Sequence, residues 1–205
     1  MTPSLDNLAA TVLVAAAVLV AGHVLQQGTR ASVDVHRYHD LRKRTDLVVE
    51  TVRRDLVNVG ADVGEGGQRV WAPRDSAGLT VEFRFAGNVE GDAAVEHVRY
   101  RLARAPKACA VYVPAMRETV PVACYRFVRE LCASAAFATC TSAGEGAAPL
   151  WQFRVALADG GGAEGGAPAD ARQVRVELGA TSPDEPSRIV PVTLWSSRFR
   201  PVNLQ

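Results

Sequence analysis

An uncharged segment near the start of the chain limits the folds that this protein can adopt. Residues 8–20 read LAATVLVAAAVLV, and no Asp, Glu, Lys or Arg occurs between Asp6 and Arg30. A helix that crosses a bilayer needs about 20 mainly apolar residues, and the segment through Gly28 has that length. The preceding MTPSLDN contains an acid instead of the basic residues of a secretory signal peptide, so we expect a retained anchor.

The residues after this segment have the pattern of an amphipathic helix. Apolar side chains recur mainly three and four residues apart, which is the period of one helical face, and charged residues occupy the other face. No proline occurs between Leu5 and Pro73, and Gly60 stands where a helix C-cap is expected. We therefore predict one continuous helix from about Leu8 to Val59. Its apolar positions after Gly28 are Val33, Tyr38, Leu41, Thr45, Val48, Val49, Val52, Leu56 and Val59.

The sequence after Gly60 predicts an antiparallel sheet. Apolar and polar residues alternate in short segments that turn-forming residues such as GNVEGD separate. The amphipathic half of the helix would cover the apolar face of this sheet, so the expected fold class is α+β. The expected segments are a transmembrane helix at 1–28, its amphipathic continuation at 29–60 and a β-rich extracytoplasmic domain at 61–205. The predicted strands are 79–87, 95–104, 109–113, 119–128, 150–158, 172–178 and 190–196.

The cysteines favour an oxidising compartment. They form no CxxC and match no zinc-site spacing. An even, clustered set in a chain with a membrane segment favours disulfide bonds, with reduced structural thiols as the alternative. A hairpin centred between Met116 and Arg117 would place two of the cysteines opposite each other, within disulfide reach. The predicted pairs are Cys109–Cys124 and Cys132–Cys140.

The basic residues favour the opposite orientation in the membrane. All of those near the apolar segment follow it, which by the positive-inside tendency alone would place the C-terminal domain in the cytoplasm. The cysteines place that domain outside, so a further factor must orient the chain. We expect a single-pass membrane protein whose C-terminal domain lies outside the cytoplasm. The basic residues concerned are Arg30, Arg37, Arg42, Lys43 and Arg44.

The sequence gives little support to an enzyme. It contains no GxSxG, HExxH or Cys–His signature, and the glycine-rich segment 159–170 lacks the lysine of a phosphate-binding loop. His36 and His39 have a spacing that can hold a metal, but on a polar helical face we interpret them as solvated. The 23 basic and 22 acidic residues nearly balance, so no nucleic acid is expected as a partner. We expect no catalytic residue, no cofactor and no metal.

The order of these features resembles the type IV pilin-like proteins, and most closely the minor pilins and the minor pseudopilins of type II secretion. The resemblance depends on LAATVLVAAAVLV, on DLVVETVRRDLVNVGA (46–61) and on a strand-rich remainder that ends in RFRPVNL. In that family a segment similar to VRRDLVNVG closes the long helix, and an antiparallel sheet packs on the outer half of the helix. Arg30 lies where family members often carry a basic residue.

The chain also departs from the family pattern. Family precursors carry a basic leader ending in glycine and then a stretch similar to F-T-L-x-E, whereas the printed sequence begins MTPSLDNL. When SLDNL is aligned with that stretch, Asn7 takes the place of the glutamate and Asp6 is the nearest acid. Either translation starts upstream of Met1, or this is a divergent member that is not processed.

The resemblance implies a non-catalytic subunit that builds or initiates a type IV pilus or a type II secretion pseudopilus. Its partners would be other pilin-like subunits, an inner-membrane assembly platform and membrane lipid. The alternative is a monomeric single-pass protein whose periplasmic domain binds a protein partner without polymerising. Close packing of small side chains would hold the helices together. The residues expected to serve the membrane and assembly helix are Asp6, Asn7, Leu8, Ala15, Ala16, Ala17, Ala21 and Gly22.

Overall fold

A computed structural model describes residues 3–92, 94–113, 115–181 and 192–204. The chain divides into two compact units, Met1–Asp40 and Leu41–Gln205. One helix, α1, spans Pro3–Val57. It includes the positions of Asp6, Asn7 and Leu8, and it ends close to the predicted residue 59.

The helix ends in a turn that joins it to the sheet. The N–H of Asn58 donates to the carbonyl of Asp55 at 3.1 Å, and the N–H of Gly60 donates to the carbonyl of Ala86 at 2.8 Å. Gly60 has φ +76°, a conformation that glycine adopts without the steric cost of a side chain. Gly60, the glycine predicted to cap the helix, therefore lies in the turn three residues after the end of α1 and ties that turn to the sheet.

Nine strands follow α1 in the described part of the chain. The strands predicted at 79–87 and 109–113 match the structure, and those at 95–104 and 172–178 differ by one to three residues at an end. Residues 190 and 191 of the last predicted strand lie outside the described residues. The strands are β1 Arg74–Ser76, β2 Leu79–Gly87, β3 Glu96–Arg104, β4 Cys109–Val113, β5 Glu118–Val122, β6 Tyr125–Cys132, β7 Cys140–Ala158, β8 Gln173–Thr181 and β9 Val192–Phe199.

Three features of the strand prediction are wrong. The strand predicted at 119–128 is two strands, β5 and β6, which belong to different sheets. β7 begins ten residues before the predicted residue 150, because TSAGEGAA (141–148) pairs with β6 despite lacking an apolar alternation. β1 was not predicted, since its three residues are all exposed and carry no pattern.

The sheet is antiparallel throughout, with strand order β1-β2-β3-β6-β7-β8-β9, and β4 and β5 form a separate hairpin. β7 pairs with β6 along Cys140–Leu150 and with β8 along Leu150–Ala158. Two register shifts interrupt the β6–β7 pairing. Each half of β7 thus has a different main neighbour.

The core lies between the second part of α1 and one face of the seven-stranded sheet. Val48, Val52 and Leu56 of α1 are buried in the same apolar cluster as residues from six of the strands. The fold class is therefore α+β, with one long helix packed on an antiparallel sheet. The largest fully buried side chains of the sheet are Phe83, Phe85, Tyr100, Phe127 and Phe153.

Candidate membrane and assembly site

The first part of α1 exposes apolar side chains on all its sides. Val12, Leu13 and Val14 are consecutive, so they point about 100° apart around the helix, and all three are exposed. The most apolar window of 18 residues in the helix has a mean hydropathy of 2.0 and is not buried at all. By length and composition the helix can cross a membrane. The exposed apolar side chains, 60–74% accessible, are Val12, Leu13, Val14, Val18, Leu19, Val20, Val24 and Leu25.

The small residues expected to pack in an assembly lie on more than one side of this helix. Ala17 and Ala21 are four residues apart and share one side, whereas Ala15 and Gly22 are seven apart and share another. Ala16 belongs to neither side. All five are exposed, and a side chain added at Gly22 would meet no atom within 4 Å. The helix therefore offers two separate close-packing stripes.

Polar groups at the end of the apolar segment are bonded within the helix. The side-chain amide of Gln27 donates to Nε2 of His23 at 2.8 Å, and the hydroxyl of Thr29 donates to the carbonyl of Leu25 at 2.8 Å. Internal partners of this kind lower the cost of placing polar groups in or near lipid. The structure thus shows how a histidine and a glutamine can be tolerated in the uncharged segment.

The second part of α1 is fastened to the sheet by a buried ion pair. Asp55, with no exposed side-chain surface, accepts a hydrogen bond of 2.6 Å from Nε of Arg129 on β6. The hydroxyl of Tyr100 on β3 donates to the same carboxylate oxygen at 2.9 Å. Nε of Arg54 lies 3.5 Å from the other oxygen. A buried charge is tolerated when it is paired and hydrogen-bonded in this way.

The surroundings of this cluster change how its groups ionise. Burial, and then the charge and hydrogen bond of Asp55, raise the pKa of Tyr100 well above its ordinary value. Burial opposes the charge on Arg129, but its hydrogen bond to Asp55 and the negative charge of that group outweigh burial and raise the guanidinium pKa. Tyr100 is therefore a neutral phenol and Arg129 a charged guanidinium at neutral pH.

Sequence reasoning missed Asp55, although a signal was present. Asp55 lies three residues after Val52 and seven after Val48, so it falls on the apolar stripe of the helix. A carboxylate on the face that packs against the sheet needs a buried partner. The identity of that partner was not readable, because Arg129 is 74 residues away.

The Tyr100 phenol is expected to ionise at higher pH than a free tyrosine, whose pKa is 10.0. A raised pKa means that the hydrogen bond stabilises the fold fully below pH 10 and that this contribution is lost as the pH rises through the folded-state pKa. Ultraviolet titration of tyrosinate should show a high-pH component that is absent from Tyr100→Phe. The exposed control Tyr112→Phe should retain that component. If the high-pH component were lost in Tyr112→Phe but kept in Tyr100→Phe, its assignment to Tyr100 would be contradicted.

Glycines allow the helix to approach the sheet closely. A side chain added at Gly146 of β7 would lie 2.6 Å from Cγ2 of Val48. One added at Gly87 would overlap the carbonyl of Asn58, directly after α1. Real Cβ atoms essentially never come within 3.0 Å of such atoms. These two glycines therefore set the distance between the helix and the strands below it.

Two disulfide bonds are present, and they join the expected pairs. Cys132 and Cys140 are register partners with Cα atoms 4.0 Å apart. Cys109 and Cys124 are bonded with Cα atoms 5.3 Å apart, but they are not opposite each other, because Val122 is the register partner of Cys109. The predicted hairpin centre was wrong by one residue. The carbonyl of Cys124 also accepts a hydrogen bond of 2.8 Å from the N–H of Ala105, which precedes β4.

The disulfide of Cys132 and Cys140 closes a loop that buries Phe137 on the sheet. The ring of Phe137 lies edge-on to Trp71, with ring centres 4.9 Å apart, and the guanidinium of Arg84 lies 5.1 Å from its centre. Arg99 donates to the carbonyl of Phe137 at 3.2 Å. The loop is therefore a fixed part of the domain surface.

The described residues contain no group of three or more His, Cys, Asp or Glu side chains arranged to hold a metal ion. His36 and His39 are both exposed on α1. No family model, no curated protein and no solved structure matches this chain. The function is therefore inferred from the geometry of α1 and from that of the unit Leu41–Gln205, to which the second part of α1 belongs.

Proposed function

We propose that this protein is a minor pilin-like or pseudopilin subunit, which builds or initiates a type IV pilus or a type II secretion pseudopilus. The observation that carries the proposal is the change in surroundings along one continuous helix. The first part of α1 is apolar and exposed on every side, whereas Val48, Val52 and Leu56 are buried against an antiparallel sheet. Subunits with a pilin-like fold are built in this order.

The exposed part of α1 would lie in the membrane before assembly and in the core of a filament afterwards. Both environments are apolar, so the same side chains suit both. Lipid alone would not require small residues, but close contact between helices favours them. The stripes of Ala17 with Ala21 and of Ala15 with Gly22 meet that requirement on two sides of one helix. A subunit inside a filament needs contacts on more than one side.

The disulfide bonds support a location outside the cytoplasm. Such bonds form and persist in the periplasm and in extracellular space and are rare in the cytosol. All four cysteines are paired, and no free thiol is present. We therefore propose an inner-membrane protein with a periplasmic or extracellular C-terminal domain. The basic residues after the apolar segment would then follow the membrane on its outer side.

Two arginines in the apolar segment are expected to release the protein from membranes. In Leu13→Arg/Leu19→Arg, each arginine would cost about 2.5–3.5 kcal/mol near the centre of a bilayer. Fractionation should move most of the chain from the membrane pellet to the soluble or degraded fraction. Leu47→Arg/Val57→Arg changes two apolar residues in the second part of α1 that are also more than half exposed, and this variant should stay in the pellet. Equal behaviour of the two variants would contradict a membrane role for residues 9–28.

Packing of the small residues distinguishes a filament subunit from a monomeric anchored protein. Chemical cross-linking in native membranes should give a ladder of oligomers with the wild-type chain. Ala17→Leu/Ala21→Leu should weaken each helix contact by about 1–3 kcal/mol and remove most of the ladder, while membrane insertion is kept. Val18→Leu/Val20→Leu is the matched control and should retain the ladder. A wild-type chain that yields only monomer would favour the anchored partner-binding protein instead.

A further inference from the structure

The first half of β7 has a strand neighbour on one side only, among the residues that the structure describes. Cys140–Leu150 pair with β6, whereas β8 joins β7 only from Leu150 onward. The other edge of residues 140–149 therefore offers backbone N–H and C=O groups for strand pairing. Residues 141–144 are exposed. The sequence TSAGEGAA (141–148) has no lysine or proline, which often protect such edges, and a single charged residue, Glu145; Pro149 follows at the far end of the edge and has no N–H to donate.

A groove runs between this edge and one side of α1. Leu47, Thr51 and Arg54 are spaced four and three residues apart, so they form one stripe of the helix above the edge. Leu47 is 63% exposed, which is unusual for a leucine in the half of the helix that packs on the sheet. The groove contains a cavity of about 180 Å³. Its lining includes Leu47, Thr51, Arg54, Phe127, Arg129 and Gly144.

The groove has more positive than negative side-chain charge in its lining. The guanidinium groups of Arg54 and Arg129 both lie against the single carboxylate of Asp55, at 3.5 Å and 2.6 Å. Glu90, which is exposed, is the last of the charges that act on Arg129. Arg53, the residue before Arg54 in the helix, has a carboxylate of its own, because it pairs with Glu50 at 3.1 Å. The binding of a second carboxylate, supplied by a partner, would therefore be favoured beside Arg54.

The edge is held in an extended conformation before any partner arrives. The disulfide between Cys132 and Cys140 fixes one end of it, and the pairing of Leu150 with Ala180 fixes the other. A preorganised strand loses little conformational entropy when another strand adds to it. Exposure at 141–144, an edge that no described strand pairs with and fixed ends together distinguish this segment from an ordinary surface strand.

We propose that the edge of β7 at residues 141–149 and the adjacent groove bind an extended segment of a partner protein that carries a carboxylate side chain. The segment adds as a further strand, and its main-chain hydrogen bonds supply affinity. Alternate side chains of the added strand face the groove, where Leu47 and Phe127 take an apolar residue and Arg54 takes the carboxylate. This proposal concerns the unit Leu41–Gln205 and does not depend on filament formation.

The test uses the full chain in detergent micelles and a set of seven-residue peptides. Each peptide has valine at alternate positions and one glutamate between them, and a matched set has glutamine in its place. At least one glutamate peptide should bind about tenfold more tightly than its glutamine counterpart. Arg54→Gln should remove this preference, whereas Arg53→Gln, one position away and outside the groove, should preserve it. Hydrogen exchange of the amides in 141–149 should slow when the peptide binds.

Three results would overturn the proposal. Amides of 141–149 that exchange slowly in the free chain at every concentration would mean that the chain's own residues occupy the edge. Protection that rises with protein concentration would assign the edge to a second copy. No glutamate-dependent binding up to about 1 mM peptide would exclude the carboxylate-bearing segment. None of these results bears on the membrane and cross-linking tests of a filament subunit.

Discussion

Asp55→Ala is expected to lower the free energy of unfolding by about 3–5 kcal/mol, because it leaves the guanidinium of Arg129 buried without its carboxylate. Arg129 is 5% exposed and Asp55 is not exposed, so water cannot replace the lost partner. The hydroxyl of Tyr100 loses its acceptor at the same time. In a domain of this size the loss corresponds to a fall of about 6–20 °C in the melting temperature, measured by near-ultraviolet circular dichroism in non-ionic micelles.

Two further variants make the test of the buried pair specific. Glu50→Ala breaks the ion pair between Glu50 and Arg53, whose side chains are both 62% exposed. This change should alter the free energy of unfolding by less than about 1 kcal/mol. Asp55→Leu/Arg129→Met replaces the buried charges by apolar side chains and should recover most of the stability lost in Asp55→Ala. If Asp55→Ala melted at the temperature of Glu50→Ala, the ion pair would not be what fastens α1 to the sheet.

The elements that could be predicted are those whose signal lies within their own residues. The apolar segment of α1 and the three- and four-residue spacing of its second part are local patterns, so the helix was predicted to within a few residues at its C-terminal end. β2 and β4 were predicted for the same reason. The start of β7 was missed because TSAGEGAA has no alternation, and its pairing is imposed by β6 on the neighbouring side.

Properties that depend on two distant segments were predicted less well. The expected cysteine pairs are present, but the strand register behind that expectation was wrong. In the β4–β5 hairpin, Val122 and not Cys124 lies opposite Cys109. Asp55 could be suspected from its place on the apolar stripe, but Arg129 could not be identified as its partner. The apolar segment followed from composition alone, whereas the groove beside β7 exists only after the second part of α1 and the sheet are packed.

Gly87→Ala is expected to destabilise the domain by about 3 kcal/mol, the upper end of the usual cost of overpacking. The added methyl group would overlap the carbonyl oxygen of Asn58 and lie 3.1 Å from the N–H nitrogen of Gly60. Both are backbone atoms, so no side chain can rotate away to make room. The turn after α1 would have to move, and the hydrogen bond from Gly60 to Ala86 would be strained.

A glycine in an open part of the same sheet provides the control for Gly87. Gly144→Ala adds a methyl group with no atom within 4 Å and without a left-handed backbone, so it should leave stability unchanged or raise it by less than about 1 kcal/mol. The difference between the two melting temperatures then measures the close approach of the helix exit to β2, rather than a general cost of losing glycine. Equal melting temperatures for the two variants would show that the helix exit can shift at little cost.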